Sequence, residues 1–385
     1  MWFKKTFEIT NSQLLIIHVH FLSFSFYFRC MIVGIILGGV SPEHEISIKS
    51  AKNIFLAGTE SKDNTFRLIG ISKTGQWYLL PDSFIDSFEA IGSSKLHQPL
   101  LLIPGAKNPI CLDNKEKEAL PMDAIFPIVH GNNGEDGLLQ GLLEILNIPF
   151  VGPGVLASSM CMDKEVTKQL LKQNGIPVTP GTSLYSYKIH DYDALILEFG
   201  LPLFVKPANA GSAVGVGKAE SLNELKLKVE EAFAFDDKVL VEKAMTGREV
   251  EVAVLGNRVL EVSTVGEIIV HSEFYTYENK YSNPDTIVNV PAKNFNKHEA
   301  EELSAIALKA YEIMQLEGMS RVDFFYSGPG EYCLNEINTL PGFTDISMYP
   351  MLMKTEGYSF TQLVDRLCDL AQERHNYRSR KQRSL

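Results

Sequence analysis

Residues 321–338 read RVDFFYSGPGEYCLNEIN, two strand-like runs separated by the sequence GPG. Proline followed by glycine at the centre of a four-residue segment is typical of a type II turn. With this PG pair at the centre of a β-hairpin, Asp323 faces Glu336 and Arg321 faces Asn338. The stretch therefore predicts an antiparallel hairpin in which two carboxylates are directly opposed.

Side chains alternate along a strand, so these four polar residues share one face and the hydrophobic residues between them share the other. Directly opposed like charges destabilise a strand pair, so the two carboxylates require a cation between them. The oxygen donors of Asp323, Glu336 and Asn338 suit Mg²⁺ or Mn²⁺. An exposed hairpin face with solvated charges is the alternative. The asparagine and the arginine on the same face favour the metal.

The composition narrows the class of protein. The 385 residues include 47 acidic and 36 basic side chains, a net charge of −11, which disfavours a nucleic-acid partner or an anionic membrane surface. Hydrophobic residues make up 45% and charged residues 22%, which excludes a largely disordered, collagen-like or coiled-coil chain. The five cysteines form no CxxC pair, so neither a zinc site nor a disulfide framework is indicated. We expect a cytoplasmic protein.

The amino terminus contains one long apolar run, LLIIHVHFLSFSFYF at 14–28. It is short for a membrane span and includes two histidines. No small-residue cleavage site follows it, so a signal peptide is the weaker alternative. We expect Met31 to be the functional start and residues 1–30 to be an extension outside the fold.

Strand and helix patterns follow one another along the rest of the chain. Residues 31–39 read as a buried strand ending in a glycine pair, and the following helix has apolar residues at Ile46, Ile48, Ile54 and Phe55. The pattern predicts an α/β protein whose ligands bind at the carboxyl ends of parallel strands. Residues 299–315 form an amphipathic helix pattern, and the polar, basic end of the chain is expected to be a solvated tail.

A second candidate site is the stretch PLFVKPANAGSAVGV at 202–216, which reads as a strand, a loop of small residues and another strand. The backbone N–H groups of such a loop can bind phosphate oxygens, and Lys206 supplies positive charge. A plain hairpin loop explains this stretch equally well. Glu242 and Glu249 follow nearby and could bind ribose hydroxyls or cap a turn. The chain lacks GxxxxGK[ST] and GxGxxG, which argues against a P-loop enzyme and a nicotinamide-dependent oxidoreductase.

Taken together, the sequence resembles the D-alanine:D-alanine ligase family of the ATP-grasp superfamily across about residues 31–370. The segments that carry the resemblance are LGGVSPEHEIS (37–47), HGNNGEDG (130–137), MDK (162–164), VKPANAGSAVGV (205–216), VEK (241–243), FYTYENKY (274–281), RVDFF (321–325) and NEINTLPGFTDISMYP (335–350). Their number and order make the resemblance far more specific than any one motif.

The resemblance implies a three-domain α/β ATP-grasp architecture with an amino-terminal parallel-sheet domain. The expected ranges are an extension (1–30), an amino-terminal substrate domain (31–160), a central ATP-grasp domain (161–249), a carboxy-terminal ATP-grasp and metal domain (250–372) and a basic tail (373–385). It also implies ATP-dependent ligation of two D-alanines through an acyl phosphate for peptidoglycan synthesis. Two Mg²⁺ or Mn²⁺ ions per site and a homodimer are expected.

The resemblance further implies roles for individual residues. Those that would bind ATP are Lys164, Lys206, Glu242, Lys243, Glu249 and Lys280. Those that would bind the metal ions are Asp323, Glu336 and Asn338. Glu43 would receive the ammonium group of the first D-alanine and connect with Ser212 and Tyr281, with His130 nearby.

For the second half of the reaction, the resemblance implies that Arg321 stabilises the tetrahedral oxyanion and the departing phosphate. Lys280, Ser347 and Met348 would hold the carboxylate of the second D-alanine and the transferred phosphate. The segment FYTYENKYSNPD at 274–285 would be a lid that excludes water from the acyl phosphate.

Two related alternatives keep the same fold. A D-alanine:D-lactate ligase would share the ATP and metal residues, but the lid tyrosine Tyr281 favours the dipeptide product. A non-catalytic nucleotide sensor would be expected to lack Arg321 or a metal ligand, and the sequence retains both. The phosphate loop ANAGSA departs from relatives that carry a charged residue before the glycine, which puts its detailed contacts in doubt.

Overall fold

The computed structural model describes residues 30–87, 89–211, 214–269 and 287–382. Three β-sheets with flanking helices organise these residues, which confirms the predicted α/β class. Ser212, Lys280, Tyr281 and the expected lid at 274–285 lie outside the described residues, as does nearly all of the expected extension.

The first sheet has six strands in the order β5-β4-β3-β2-β1-β6. They are β1 (Met31–Gly38), β2 (Asn64–Ile71), β3 (Trp77–Leu80), β4 (Gln98–Leu102), β5 (Ile110–Leu112) and β6 (Ala124–Pro127). β1 pairs in parallel with β2 and β6, as the parallel-sheet prediction requires. The remaining pairs are antiparallel, so the sheet is mixed.

Four helices accompany this sheet: α1 (His44–Glu60), α2 (Phe84–Ser87), α3 (Leu138–Ile145) and α4 (Val155–Met162). The chain reaches α1 through Gly38 and Gly39, whose φ angles of +88° and +100° favour glycine. Helix α1 then buries its apolar face, including Ile54 and Phe55, as its periodicity predicts. The turn and the helix together place residues 41–43 beside the carboxyl end of β1.

The second sheet is antiparallel, with four strands in the order β7-β10-β8-β9. Its elements are α5 (Lys164–Gln173), β7 (Gly181–Tyr185), α6 (Tyr192–Phe199), β8 (Leu203–Pro207), β9 (Gly217–Ala219), α7 (Leu222–Phe233) and β10 (Lys238–Lys243). Val205 and Val241 lie in the core that packs on α6 and α7. Strand alternation therefore presents Lys206 and Glu242 on the opposite face.

The third sheet has five strands in the order β13-β12-β11-β14-β15. Its elements are β11 (Arg248–Gly256), β12 (Leu260–Ile269), β13 (Ile287–Asn289), α8 (Lys297–Ile313), β14 (Gly318–Gly328), β15 (Glu331–Asn338), α9 (Met348–Thr355) and α10 (Phe360–Gln382). Helix α8 is the amphipathic helix predicted from the sequence, and Leu303 and Ala310 are buried on it. The expected domain boundaries remain predictions.

The turn at Gly247 joins β10 to β11, which belong to different sheets. A strand lies on each side of this turn. The two strands do not pair with each other, because the chain crosses from the second sheet to the third at this point. Glu242 and Glu249 therefore stand on separate sheets, with the crossing between them.

The expected solvated tail was wrong for residues 373–382, which continue helix α10 to Gln382. Arg374 is buried, and its guanidinium donates hydrogen bonds to the carbonyl oxygens of Phe150 and Gly152. Arg378 forms salt bridges with Glu144 and Glu317, 2.6 and 2.8 Å away. The basic residues thus bind acceptors of the amino-terminal half and the third sheet, which sequence composition alone does not reveal.

One hydrophobic core joins the first and last parts of the chain. Val33 and Ile35 of β1 belong to the same buried cluster as Tyr349 of α9 and Leu363 of α10. This shared core fixes the first sheet against the third and so places α1 beside the loop that follows β15. Among the helices of the described ranges, none is both long enough and apolar enough to cross a bilayer.

Candidate active site

The hairpin of β14 and β15 carries the predicted pairs. Arg321 is opposite Asn338 and Asp323 is opposite Glu336. Gly330 has a φ of +72°, which fits the third position of a type II turn. The register shifts once between Tyr326 and Gly328 and again between Asp323 and Phe324. The two irregularities cancel, because each strand contributes one extra residue, so the predicted alignment is right at the polar end.

The second irregularity has a consequence for the site. It places Asn335 as the extra residue of β15, and bulges commonly redirect a side chain. The amide oxygen of Asn335 accepts a hydrogen bond from the ammonium group of Lys206, 3.2 Å away. This contact ties the third sheet to the second across the space between them.

Arg321 is buried and lies between two carboxylates. Its Nε is 2.8 Å from Oδ1 of Asp323 and 2.8 Å from Oε2 of Glu251, and its Nη2 is 2.7 Å from Oδ2 of Asp323. Burial alone would lower the pKa of Arg321, but the charges of Asp323 and Glu251 outweigh it and raise that pKa well above its ordinary value. The guanidinium is therefore a permanent positive charge held in a fixed position.

Glu251 is a site residue that sequence reasoning missed. It lies on β11 directly opposite Asp323, which in turn faces Glu336, so three carboxylates form a row across neighbouring strands. The signal was present in the sequence, because Glu251 follows Glu249 at the spacing that puts both side chains on one face of a strand. The row concentrates negative charge on the sheet face that also carries Arg321.

The candidate metal donors are Asp323, Glu336 and Asn338. The amide nitrogen of Asn338 donates a hydrogen bond to Oδ2 of Asp323, 2.8 Å away, and the amide oxygen takes no part in that bond. Within the described ranges, no group of three or more His, Cys, Asp and Glu side chains is arranged to hold a metal ion. Two carboxylates and an amide suit a hard divalent cation whose other ligands are water and phosphate oxygens.

Glu43 lines the same cleft as Arg321, Glu336 and Asn338. It is buried at the start of α1, between two glycines of distant segments. A Cβ atom on Gly131 would lie 2.2 Å from Oε2 of Glu43, and one on Gly211 would lie 3.0 Å from it. At Gly131, which also has a φ of +71°, the close approach explains why glycine stands there. It also brings the HGNNGEDG segment and the phosphate loop to one carboxylate.

His130 belongs to a hydrogen-bonded chain that ends in the loop after β15. Its Nε2 is 3.4 Å from the hydroxyl of Ser50, and that hydroxyl accepts a bond from the backbone N–H of Phe343 at 3.2 Å. The side chain of Asn53 also donates to the carbonyl of Phe343, 3.0 Å away. Helix α1 therefore positions the residue 341–347 loop relative to His130.

Lys164 is the first residue of α5, where Asp163 caps the helix by accepting bonds from the N–H groups of Glu165 and Val166. Its ammonium group donates to the carbonyl of Ala210 in the phosphate loop, 2.6 Å away. Burial lowers the pKa of Lys164. The lysine is thus fixed beside the loop that the sequence predicts to bind phosphate.

Glu242 lies between two buried lysines. Its carboxylate is 2.6 Å from Nζ of Lys168 and 2.7 Å from Nζ of Lys206. Burial alone would raise the pKa of Glu242, but the two ammonium groups lower it, while burial lowers the pKa of Lys168 to about 8. Sequence reasoning missed Lys168, although its position four residues after Lys164 on a helix was a usable signal.

A single cleft collects six of the described candidates. The predicted residues that line it are Glu43, His130, Lys164, Arg321, Glu336 and Asn338. Glu135 also lines it and accepts a hydrogen bond from the N–H of Gly131 at 2.7 Å. Glu242 instead lines a neighbouring cleft of about 390 Å³ together with Lys168.

Seven described candidates stand outside the lining of the first cleft, namely Lys206, Glu242, Lys243, Glu249, Asp323, Ser347 and Met348, although Asp323 contacts Arg321, which lines it. Lys243 is exposed at the end of β10, and Glu249 is half-buried on β11 opposite Phe325. The hydroxyl of Ser347 accepts a hydrogen bond from the N–H of Thr344 at 2.8 Å, and Met348 is buried at the first position of α9.

Comparison with known proteins assigns the chain to a family. Residues 32–153 match the model of the D-ala D-ala ligase N-terminus, and residues 170–369 match that of the D-ala D-ala ligase C-terminus. A D-alanine–D-alanine ligase of Oceanobacillus iheyensis is 44% identical over 354 residues, covering 89% of this chain and 95% of the relative. D-alanine–D-alanine ligase A of Escherichia coli K12 is 45% identical over 350 residues, covering 89% and 96%.

Solved structures give the same assignment. The D-alanine–D-alanine ligase from Coxiella burnetii superposes with a TM-score of 0.83 at 34% identity, covering 92% of this chain and 97% of that one. VanG, a D-Ala:D-Ser ligase from Enterococcus faecalis, superposes with a TM-score of 0.79 at 34% identity, covering 89% and 100%. This chain therefore belongs to the D-alanine–D-alanine ligase family of ATP-grasp enzymes.

Proposed function

We propose that the cleft between the three sheets is where this chain carries out the reaction of its family. The chain joins two D-alanines at the expense of ATP, as peptidoglycan precursor synthesis requires. The observation that carries the residue assignment is one shared cleft. Arg321 and the hairpin donors Glu336 and Asn338 line it together with Glu43 and Lys164, which come from distant parts of the chain.

The first D-alanine would bind at Glu43. A carboxylate held between Gly131 and Gly211 is placed to receive an ammonium group, and His130 lies on the same side of the cleft. Ser212 and Tyr281 are proposed to complete this subsite; both lie outside the described residues. With its ammonium bound there, the carboxylate of the first D-alanine would attack the γ-phosphate of ATP and release ADP, which forms the acyl phosphate.

ATP would lie between the second and third sheets. Lys164 and Lys206 are proposed to bind its phosphates, and Glu242, Lys243 and Glu249 its adenosine. Lys168 supports this assignment, because it supplies Glu242 with a second cation 2.6 Å away. When Lys206 turns to a phosphate, Glu242 would keep a buried positive partner. Most of the catalysis in such phosphoryl transfer comes from positioning and positive charge.

Asp323, Glu336 and Asn338 are proposed to hold two Mg²⁺ or Mn²⁺ ions. The opposed carboxylates support this assignment, because Asp323 and Glu336 are direct partners on adjacent strands and like charges in that position need a cation. A divalent cation, when bound there, would neutralise charge on the phosphate groups.

Arg321 would stabilise the second half of the reaction. The amine of the second D-alanine attacks the acyl carbon, the C–O bond to phosphate breaks, and the amine gives up a proton. The permanent charge of Arg321 is placed at the cleft wall to stabilise the oxyanion and the departing phosphate. Lys280, Ser347 and Met348 are proposed to bind the second D-alanine and the transferred phosphate, and residues 274–285 to exclude water.

We further propose a cytoplasmic homodimer without a nucleic-acid or membrane partner. The net charge of −11 opposes binding to polyanions. All five cysteines are free thiols, as expected in a reducing compartment. Leu138 and Ile145 of α3 and Leu156 of α4 are exposed apolar side chains on adjacent helices and offer a surface for a second copy.

The purified chain is expected to release phosphate and form D-alanyl-D-alanine when supplied with ATP, Mg²⁺ and D-alanine. The likeness to a D-Ala:D-Ser ligase makes D-serine the second candidate acceptor, so parallel reactions would contain D-alanine with D-serine or with D-lactate. Phosphate release and product mass are measured in each. Preferential formation of D-alanyl-D-serine or D-alanyl-D-lactate would contradict the proposed product.

A further inference from the structure

Asp323 accepts three hydrogen bonds from Arg321 and Asn338. Its Oδ1 accepts from Nε of Arg321 at 2.8 Å, and its Oδ2 accepts from Nη2 of Arg321 at 2.7 Å and from Asn338 at 2.8 Å. A divalent cation at Asp323 must share these oxygens with a guanidinium that it repels. Metal binding at this residue therefore weakens the contact between Arg321 and Asp323.

Glu251 offers Arg321 a second carboxylate. It lies opposite Asp323 on the neighbouring strand, its Oε2 is 2.8 Å from Nε of Arg321, and only 4% of the residue is exposed. Arg321 is itself 7% exposed, so its charge cannot be transferred to bulk water when Asp323 is taken. A buried charge that loses its partner is strongly destabilised. A cation can therefore take Asp323 from Arg321 only if Glu251 remains as a partner for the guanidinium.

We propose that Glu251 is a positioning residue that retains Arg321 when a divalent cation occupies Asp323. The guanidinium is shared between the two carboxylates without metal and is held by Glu251 alone with metal bound. This inference rests on the proposed metal site. Because Glu251 remains bound to Arg321, the same sheet face can carry both Asp323 as a cation ligand and Arg321 as a catalytic guanidinium.

Binding of Mn²⁺ in the presence of ADP tests the proposal without requiring turnover. Free Mn²⁺ is measured by electron paramagnetic resonance with the full-length wild type, Glu251→Gln, and Glu261→Gln as a control. Glu261 is a carboxylate of the same sheet that bonds to the hydroxyl of Tyr358, 2.9 Å away. We expect Glu251→Gln to weaken Mn²⁺ binding about tenfold, or about 1.4 kcal/mol, because the guanidinium loses its ion-pair partner at Glu251 and stays on Asp323, where it opposes the cation. Glu261→Gln should bind Mn²⁺ like the wild type.

Glu251→Asp distinguishes the effect of the contact with Arg321 from the effect of the negative charge at position 251. It keeps a carboxylate on the strand but shortens the side chain by one methylene group, which breaks the close 2.8 Å ion pair with Arg321. We expect this variant to weaken Mn²⁺ binding as well, and ADP binding measured without metal to be unchanged in both variants. Thermal unfolding confirms that each variant is folded, and the aspartate variant carries the test if the glutamine variant does not fold.

Wild-type affinity for Mn²⁺ in Glu251→Gln would overturn the proposal. So would wild-type affinity in Glu251→Asp alongside a loss in Glu251→Gln, because charge alone would then explain the effect. Neither result bears on phosphate release by the wild-type chain with D-alanine. Conversely, a chain that binds Mn²⁺ as expected but ligates no D-alanine would contradict the proposed function alone.

Discussion

Glu336→Gln is expected to lower the rate of dipeptide synthesis by about a thousandfold, the upper end of what loss of one electrostatic stabiliser costs. Glu336 faces Asp323 across the hairpin and lines the cleft with Arg321. Glutamine keeps the shape of the side chain but removes the charge that a divalent cation would require. The measurement is the turnover number at saturating ATP, Mg²⁺ and D-alanine.

Glu331→Gln is the matched control for that substitution. Glu331 begins the same strand, β15, and is exposed near the turn, far from the polar end of the hairpin. The same chemical change there should leave the turnover number unchanged. Without metal, Glu331→Gln should unfold at the wild-type temperature, and Glu336→Gln at that temperature or above it, since it removes a carboxylate opposed to Asp323. A Glu336→Gln variant with wild-type turnover would eliminate the metal assignment.

Glu242→Gln is expected to destabilise the fold by about 3 kcal/mol, the low end of the cost of removing one partner from a buried ion pair. The side chains of Glu242, Lys168 and Lys206 are 4%, 9% and 10% exposed. Without the carboxylate, two buried ammonium groups remain close together with no negative charge between them. The measurement is the midpoint and slope of urea unfolding followed by circular dichroism.

Glu301→Gln provides the contrasting case. Glu301 pairs with Lys297 at 3.7 Å on the surface of α8, with side chains 63% and 90% exposed. An exposed pair of this kind contributes at most about 1 kcal/mol, so this variant should unfold at nearly the wild-type urea concentration. Equal urea midpoints for the Glu242→Gln and Glu301→Gln variants would contradict a stabilising role for the buried ion pairs of Glu242 with Lys168 and Lys206.

The hairpin illustrates how far the sequence determines the site. Turn chemistry at Pro329 and Gly330 and the period of two along a strand were sufficient to place Asp323 opposite Glu336. The two compensating irregularities in between, at Ser327 of β14 and Asn335 of β15, were not predicted from the sequence. The prediction succeeded at the polar end since one extra residue on each strand restores the register.

Contacts between distant segments were beyond sequence reasoning. Glu251 and Lys168 act through partners on other strands or sheets, and nothing in their local sequence names those partners. The basic end of the chain failed for the same reason: Arg374 binds carbonyl groups more than two hundred residues away in the sequence. Composition suggested solvation, whereas tertiary acceptors make that stretch helical and partly buried.

The central claim is that the polar face of the β14–β15 hairpin is the cation and nucleotide centre of the enzyme. A crystal structure of the full chain with ADP and Mn²⁺, with anomalous scattering recorded for manganese, tests it most directly. We expect anomalous peaks about 2.2 Å from oxygen atoms of Asp323, Glu336 and Asn338, as for other hard divalent ions. ADP bound with manganese only at other residues, and these three side chains without a manganese contact, would contradict the account.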